Sequence, residues 1–318
     1  QDGAAWSFQR VDLDVTDGIA RITLNRPEVM NALDPELVSQ LDARFTEALA
    51  IDGLRGIILA GTGKAFVAGA DVSFFVRCIE ANDIGRIVEF TEGGQQLLRR
   101  IETAPVPVLA RVHGLAMGGG VELALACHGI LCGPKASFAL PETGIGIYPG
   151  LGGTQRLPRI VGRPLARRMI LTGKPLSANA AKEAGLALDV VPLDQLDAAA
   201  AWIGKGLPDR YAGQDAADAA VDEAYADGGV GTLLAGQAPR GLSEAATALL
   251  ERDLRAIGRK APIALREAAR LVDTSAGTDL ESGLRAELDA LPMIFGTQDA
   301  LVGLRSVTRR ERPVWQGA

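Results

Sequence analysis

One junction constrains this chain more than any other: residues 106–112, VPVLARV, run through HGLAM into the glycines Gly118, Gly119 and Gly120, and then into VELALAC. A short apolar run bounded by glycine reads as a buried strand, and the apolar run after the glycines as a helix. Where a helix starts on glycines, its first N–H groups lack intrahelical partners and no side chain covers them. The helix dipole adds partial positive charge there. The junction therefore predicts a strand, a turn and a helix start able to hold an anion. Glu122 falls in the first turn of that helix, where a glutamate commonly serves only as a cap or a dipole partner.

A second loop, Phe66-Val67-Ala68-Gly69-Ala70-Asp71, also leads toward a helix and could supply another N–H. Two convergent donors make an oxyanion hole, worth about 10²–10³ in rate per donor. A second carboxylate, Glu142, follows Pro141 at a strand end and precedes Gly144, Gly146 and Gly150. Alone it reads as a solvated loop residue. Beside an oxyanion site, however, one carboxylate of a pair can activate a water while the other exchanges a proton with carbon. That chemistry is addition of water across an activated double bond.

The rest of the chain frames this junction. Phe8, Val11, Leu13 and Val15, then Ile19, Ile22 and Leu24, flank Asp17-Gly18, the pattern of a β-hairpin. Leu33, Leu37, Leu41, Phe45 and Leu49 recur every four residues behind Asp34-Pro35 and predict a helix within 31–50. GIILAG (56–61) reads as a buried strand, TGKAFVAGADV as a glycine-punctuated loop, and 87–101 as a helix. Short strands at 129–132 and 137–140 precede the glycine-rich loop of Glu142. Short strands with helical crossovers imply parallel sheets and an α/β class.

From about Ala198 alanine-rich helical patterns replace strands, which divides the chain into a core carrying the site (1–197) and a helical region (198–318). Residues 208–241, rich in Ala, Gly and Asp, read as a helix plus loop or a partly mobile insertion. Stretches 242–258, 262–272 and 279–291 are amphipathic helices with little core of their own, so packing against a neighbouring copy is expected.

Composition removes several classes. The 318 residues carry a net charge of −6 with both signs mixed along the chain, which leaves no footprint for nucleic acid. Cys78, Cys127 and Cys132 form no CxxC and read as reduced core thiols. With only His113 and His128, a histidine metal site or a Ser-His-Asp triad lacks material, so no metal is expected. The opening QDGAAWSFQRVDLDV has no signal-peptide pattern and no long uncharged apolar segment follows, so a soluble, cytoplasmic protein without membrane contact is expected.

Several longer segments carry a specific resemblance. KAFVAGAD (64–71), HGLAMGGGVELALAC (113–127), SFALPETGIGIYPGLGGTQRLPRIVG (137–162) and LTGKPLSANAAKEAGLALDVV (171–191) resemble the enoyl-CoA hydratase/isomerase, or crotonase, superfamily. NRPEVMNAL (25–33) and FGTQDALVGL (295–304) match in the same order, so the resemblance spans nearly the whole chain except 208–241. It implies a crotonase-like spiral of repeated ββα units with a C-terminal helical oligomerisation region, assembled as a homotrimer or dimer of trimers. It also implies an acyl-CoA thioester substrate and no separate cofactor. By the resemblance, the N–H groups of Ala70 and Gly119 hold the thioester oxygen. Glu122 orients and deprotonates the water that attacks Cβ, and Glu142 exchanges the proton at Cα. Asn31, Ala32, Ala68, Gly69, Asp71 and Gly150 fall in substrate- and CoA-contacting segments, and Arg310 stands where a lysine often meets a phosphate. Val29 departs from a common lysine, His113 from a common asparagine and His128 from a common aspartate.

The family's isomerases generally keep one glutamate of the pair and its thioester hydrolases often alter the first, so retention of both favours a hydratase, with isomerase or hydrolase as alternatives. A noncatalytic CoA-ligand-binding or scaffold homologue is the alternative of another class. A dinucleotide fold finds Gly118 and Gly120 after a strand but Leu123 where a third small residue belongs, and Gly61-Thr62-Gly63-Lys64-Ala65 lacks the earlier glycine and the Ser/Thr of a phosphate loop.

Overall fold

The computed structural model describes residues 6–211 and 218–318. Two sheets form the frame. Strands β1 (Val11–Thr16), β2 (Ile19–Leu24), β3 (Gly56–Gly61), β4 (Ala65–Ala68), β5 (Val108–Val112), β6 (Leu115–Met117), β7 (Gly129–Cys132), β8 (Ser137–Ala139), β9 (Leu176–Ser177) and β10 (Asp189–Val190) follow in chain order. The larger sheet runs β1-β2-β3-β5-β7-β10 and the smaller β4-β6-β8-β9. The chain thus places one strand in each sheet and then a helix, three times over: β3 and β4, β5 and β6, β7 and β8. This is the α/β spiral of ββα units expected from the sequence.

The hairpin is present, with Asp17 at φ 51° and Gly18 at φ 77°, the two left-handed positions a tight two-residue turn requires. Past it, β3, β5 and β7 pair in parallel, so each must be reached by a crossover. The helices Val72–Glu80 and Ile84–Glu102 form one crossover, and Gly119–Ala126 the next. The smaller sheet corrects the sequence reading: the loop TGKAFVAGADV contains β4 and the turn GLAMGGG contains β6, and the two pair in parallel with each other. Each has only three or four residues, too few for a period-2 pattern to stand out.

The helix Gly119–Ala126 lies at the centre, with every residue buried. A helix that is apolar all round belongs in a core, and Glu122 is its single charged residue. The main core runs from Val11 through the sheets to Leu304. The three cysteines are free and buried in it.

Among the described residues no strand follows Val190. The helices Glu244–Ile257, Pro262–Thr274 and Leu280–Asp289 match the three amphipathic stretches read from the sequence, and Leu291–Phe295 and Gln298–Arg309 follow them. The expectation of little independent core is corrected by a second apolar cluster. Val221, Tyr225 and Leu233 pack there with Leu249, Leu250 and Leu171. Of the Ala/Gly/Asp-rich stretch 208–241, residues 212–217 lie outside the described residues. The remainder holds the helices Ala219–Ala224 and Val230–Leu234, whose apolar side chains enter this second core. No helix among the described residues is long and apolar enough to cross a membrane.

Candidate active site

Four elements converge on one cavity of about 320 Å³: the loop after β4, the start of the helix Gly119–Ala126, the turn Glu142–Ile145, and the loop before the helix Gly153–Val161. Ala68, Gly69, Ala70, Gly119, Glu122, Glu142 and Gly150 all line it. A larger, open groove of about 910 Å³ between Ile84–Glu102 and Leu280–Asp289 has positive arginines and negative carboxylates mixed along its rim and none of these loops.

Backbone pairing aims the first donor. Leu33 N–H donates to the Gly69 carbonyl and Asp71 N–H to the Leu33 carbonyl, so Ala70 lies between the two bonded groups and turns its own N–H away from Leu33. Gly119 opens its helix, where N–H groups lack helical acceptors. A Cβ on Gly119 would come 3.9 Å from the Gly69 carbonyl carbon, which brings the two loops into contact.

Glu122 is 2% exposed. Its Oε2 accepts both the Leu151 N–H at 2.6 Å and the Gly153 N–H at 2.7 Å. Because both bonds fall on one oxygen, Oε1 is left for a ligand or water. Burial pushes its carboxyl up to about 7 against these two bonds and the Arg156 charge, which pull it down. Glu142 lies over Gly118, whose added Cβ would meet its Oε2 at 3.2 Å. Gly118 holds φ 50°, a backbone conformation suited to glycine. Glu142 Oε1 is buried without a partner among the described residues. Burial first, then the Glu122 charge, raise Glu142 well above the usual carboxylate range. Such a pair divides into a carboxylate that ionises more readily and one that keeps its proton, the requirement for one base and one acid.

The far wall is apolar. Phe75, Phe90 and Phe295 line the cavity together with Val72, Leu291 and Val307. The Phe75 ring lies 5.0 Å from that of Phe295 and 6.1 Å from that of Phe90. Phe75 faces the cavity, and Phe74, its neighbour in the chain, packs in the core instead.

Four residues of the sequence reading lie away from the cavity lining. Asn31 is fully buried, and its Nδ2 donates to the carbonyls of Thr62, Ala65 and Phe66. Ala32 gives its carbonyl to Arg26. Asp71 caps Val72–Glu80 through the Ser73 N–H and pairs with Arg26 at 3.3 Å. Arg310 is exposed at the left-handed end of Gln298–Arg309. The histidines serve the scaffold: His128 Nδ1 accepts the Val108 N–H and its Nε2 donates to the Glu102 carbonyl, and His113 Nε2 meets the Gly63 carbonyl.

One residue was missed. Glu287, fully buried, takes the Gly152 N–H at 2.6 Å between the two N–H groups that go to Glu122. Its signal was legible, since Leu284, Glu287 and Leu291 fall at i, i+3 and i+7 and put a carboxyl on an apolar stripe.

These carboxyls make stability depend on pH. Glu122 at about 7 and Glu287 at about 8 hold protons that the unfolded chain releases near 4.5. Between those values the folded state binds more protons, so stability falls as pH rises, and Glu142, raised by the same burial, adds a fall of the same sign. Asp71, Glu102, Asp227 and Asp253, which are held low, lose their contributions only below this window. Calorimetric melting should show Tm falling from about pH 5 to about pH 8, and Glu122→Gln should flatten the slope. A rising Tm over that window would contradict the raised carboxyls.

The family described as enoyl-CoA hydratase/isomerase matches residues 14–225. An enoyl-CoA hydratase from Rhodobacter sphaeroides 2.4.1 superposes with TM-score 0.82 at 25% identity, covering 97% of this chain and 93% of that one. A carnitinyl-CoA dehydratase from Mycobacterium thermoresistibile gives TM-score 0.81 at 26% identity over 98% and 93%. An enoyl-CoA hydratase from Bacillus anthracis is 30% identical over 98% and 100%, with TM-score 0.57.

Proposed function

The chain belongs to the enoyl-CoA hydratase/isomerase family, and we propose that it is an enoyl-CoA hydratase, adding water reversibly across the 2,3 double bond of a trans-2-enoyl-CoA thioester. The observation that carries this reading is the pair of buried carboxyls, Glu122 and Glu142, in one cavity with Ala70 and Gly119.

In this mechanism the thioester oxygen accepts the Ala70 and Gly119 N–H groups, which stabilise the charge that develops on it as Cβ is attacked. Glu122, ionised, takes a proton from a water at its free Oε1, and the resulting oxygen nucleophile bonds to Cβ. The electron pair moves through Cα onto the thioester oxygen. Glu142 then delivers its proton to Cα, the pair returns from the oxygen, and a 3-hydroxyacyl-CoA is left. One proton has passed from water to the protein and another from the protein to carbon. The apolar wall of Phe75, Phe90 and Phe295 keeps other water from the developing charge and suits an uncharged acyl chain.

The test is absorbance at the conjugated enoyl-thioester band with short, medium and ring-containing trans-2-enoyl-CoA substrates. The expected result is loss of the band with a product heavier by one water. Tight binding of every substrate without loss of the band would overturn the assignment and favour a noncatalytic ligand-binding homologue.

A further inference from the structure

We propose that Glu287 is a positioning residue for the reaction: it holds the loop of residues 148–154 in the one conformation that directs two N–H groups onto Glu122. The proposal rests on the hydratase reading for what Glu122 does, and on geometry for what Glu287 does.

The loop is gripped alternately from its two sides. Leu151 and Gly153 donate to Glu122. The intervening Gly152 donates to Glu287 Oε1, and the Thr154 hydroxyl meets Glu287 Oε2. Gln95 Nε2 bridges the same Oε1 at 3.1 Å and the Gly150 carbonyl at 2.9 Å. The Tyr148 hydroxyl donates to the Glu287 carbonyl at 2.6 Å, fixing the loop's entry to the same helix turn. Residues 148, 150, 152 and 154 therefore answer to Glu287 or to Gln95 beside it, and 151 and 153 to Glu122. Gly152 at φ 95° makes the alternation possible by reversing the backbone between its neighbours.

A carboxyl on an apolar stripe is costly to bury, and a leucine there would pack without cost but would leave the Gly152 N–H and the Thr154 hydroxyl without their acceptor. The ionisable groups facing Glu287 include Glu122 on the glycine-led helix, Arg156 on Gly153–Val161, Tyr148 at the loop's entry, and Glu142 beyond Glu122. Burial first, then the Glu122 charge, push Glu287 up to about 8, toward its neutral form. Glutamine matches that neutral form: its carbonyl oxygen serves Gly152 and Gln95, and the Thr154 hydroxyl, which donates to Oε2 of Glu287, turns to accept from the amide.

The experiment compares Glu287→Gln and Glu287→Ala in the full chain, reading kcat and KM on an enoyl-CoA that the wild type hydrates and the titration of the Glu122 carboxyl by ¹³C NMR. Glu287→Gln should stay within about threefold of wild type. Glu287→Ala should lose about 10²-fold in kcat, the scale of an ångström-sized misplacement, with KM nearly unchanged. Its Glu122 midpoint should rise as the two N–H bonds loosen. Should Glu287→Ala fail to fold, Gln95→Leu, which removes one strap, should show the same changes to a smaller degree. A folded Glu287→Ala, or in its place Gln95→Leu, with wild-type kcat and an unmoved Glu122 midpoint would overturn the proposal, as would a Glu287→Gln as impaired as Glu287→Ala. If the wild type hydrates no enoyl-CoA, the functional reading fails alone, because the NMR titration still reports whether Glu287 holds the loop.

Discussion

Replacing Glu122 by glutamine should lower kcat by about 10²–10⁴-fold, the range supplied by a positioned general base, while acyl-CoA affinity changes little. The geometry makes this a clean substitution. Both backbone N–H bonds fall on Oε2, so the glutamine carbonyl can accept them as the carboxylate does and the loop need not move. What disappears is the basic oxygen at Oε1. Glu142→Gln removes a different step: it is isosteric with a protonated carboxyl but has no proton to deliver to Cα. Burial already holds Glu142 well above the usual carboxylate range, so a neutral amide of the same shape adds no charge to bury and this variant should melt close to wild type. Turnover by the absorbance assay and affinity by titration calorimetry with a saturated acyl-CoA separate the two quantities. Wild-type kcat in both variants would end the hydratase mechanism, and loss of binding in both would place the carboxyls in ligand recognition instead.

The elements that periodicity can mark were legible: the hairpin at Asp17-Gly18, the helix capped by Asp34, the strand Gly56–Gly61, and the glycine-led helix. β4 and β6 were hidden because a strand of three or four residues is defined by its partner more than by its own pattern. The site was legible in part for the same reason. Glu122 and Glu142 stand out beside glycines, and both line the cavity. Glu287 is 165 residues after Glu122, and only the packing of Leu280–Asp289 beside Gly153–Val161 brings it to the same loop. The Asn31 side chain was not legible in the same way: its amide is occupied by three carbonyls that lock the β3–β4 corner, which no local pattern announces.

Gly120→Ala tests whether that packing also sets the oxyanion geometry. A Cβ at Gly120 would lie 2.1 Å from the Val67 carbonyl oxygen and 2.8 Å from the Val67 Cβ. Neither is the end of a flexible chain, so the helix and β4 must separate. Val67 lies three residues before Ala70, and Gly120 directly follows Gly119, so separation at 67 and 120 moves the two N–H donors apart. Overpacking of this kind costs about 1–3 kcal/mol, and loss of one convergent donor costs about 10²–10³ in kcat. The variant should therefore melt lower and turn over more slowly by those amounts, with Glu122 and Glu142 both intact. Gly93→Ala supplies the comparison: Gly93 is an exposed glycine inside Ile84–Glu102 with nothing within 4 Å of its added Cβ, and alanine there favours the helix by about 1 kcal/mol. Its kcat should be unchanged and its Tm slightly raised. A Gly120→Ala protein that melts lower yet keeps wild-type kcat would show that the donors do not depend on the contact between the helix and β4. The oxyanion site would then be held by the bonds at its own loops, Leu33 with Gly69 and Asp71, Ala68 to Met30 and Gly118 to Ala139.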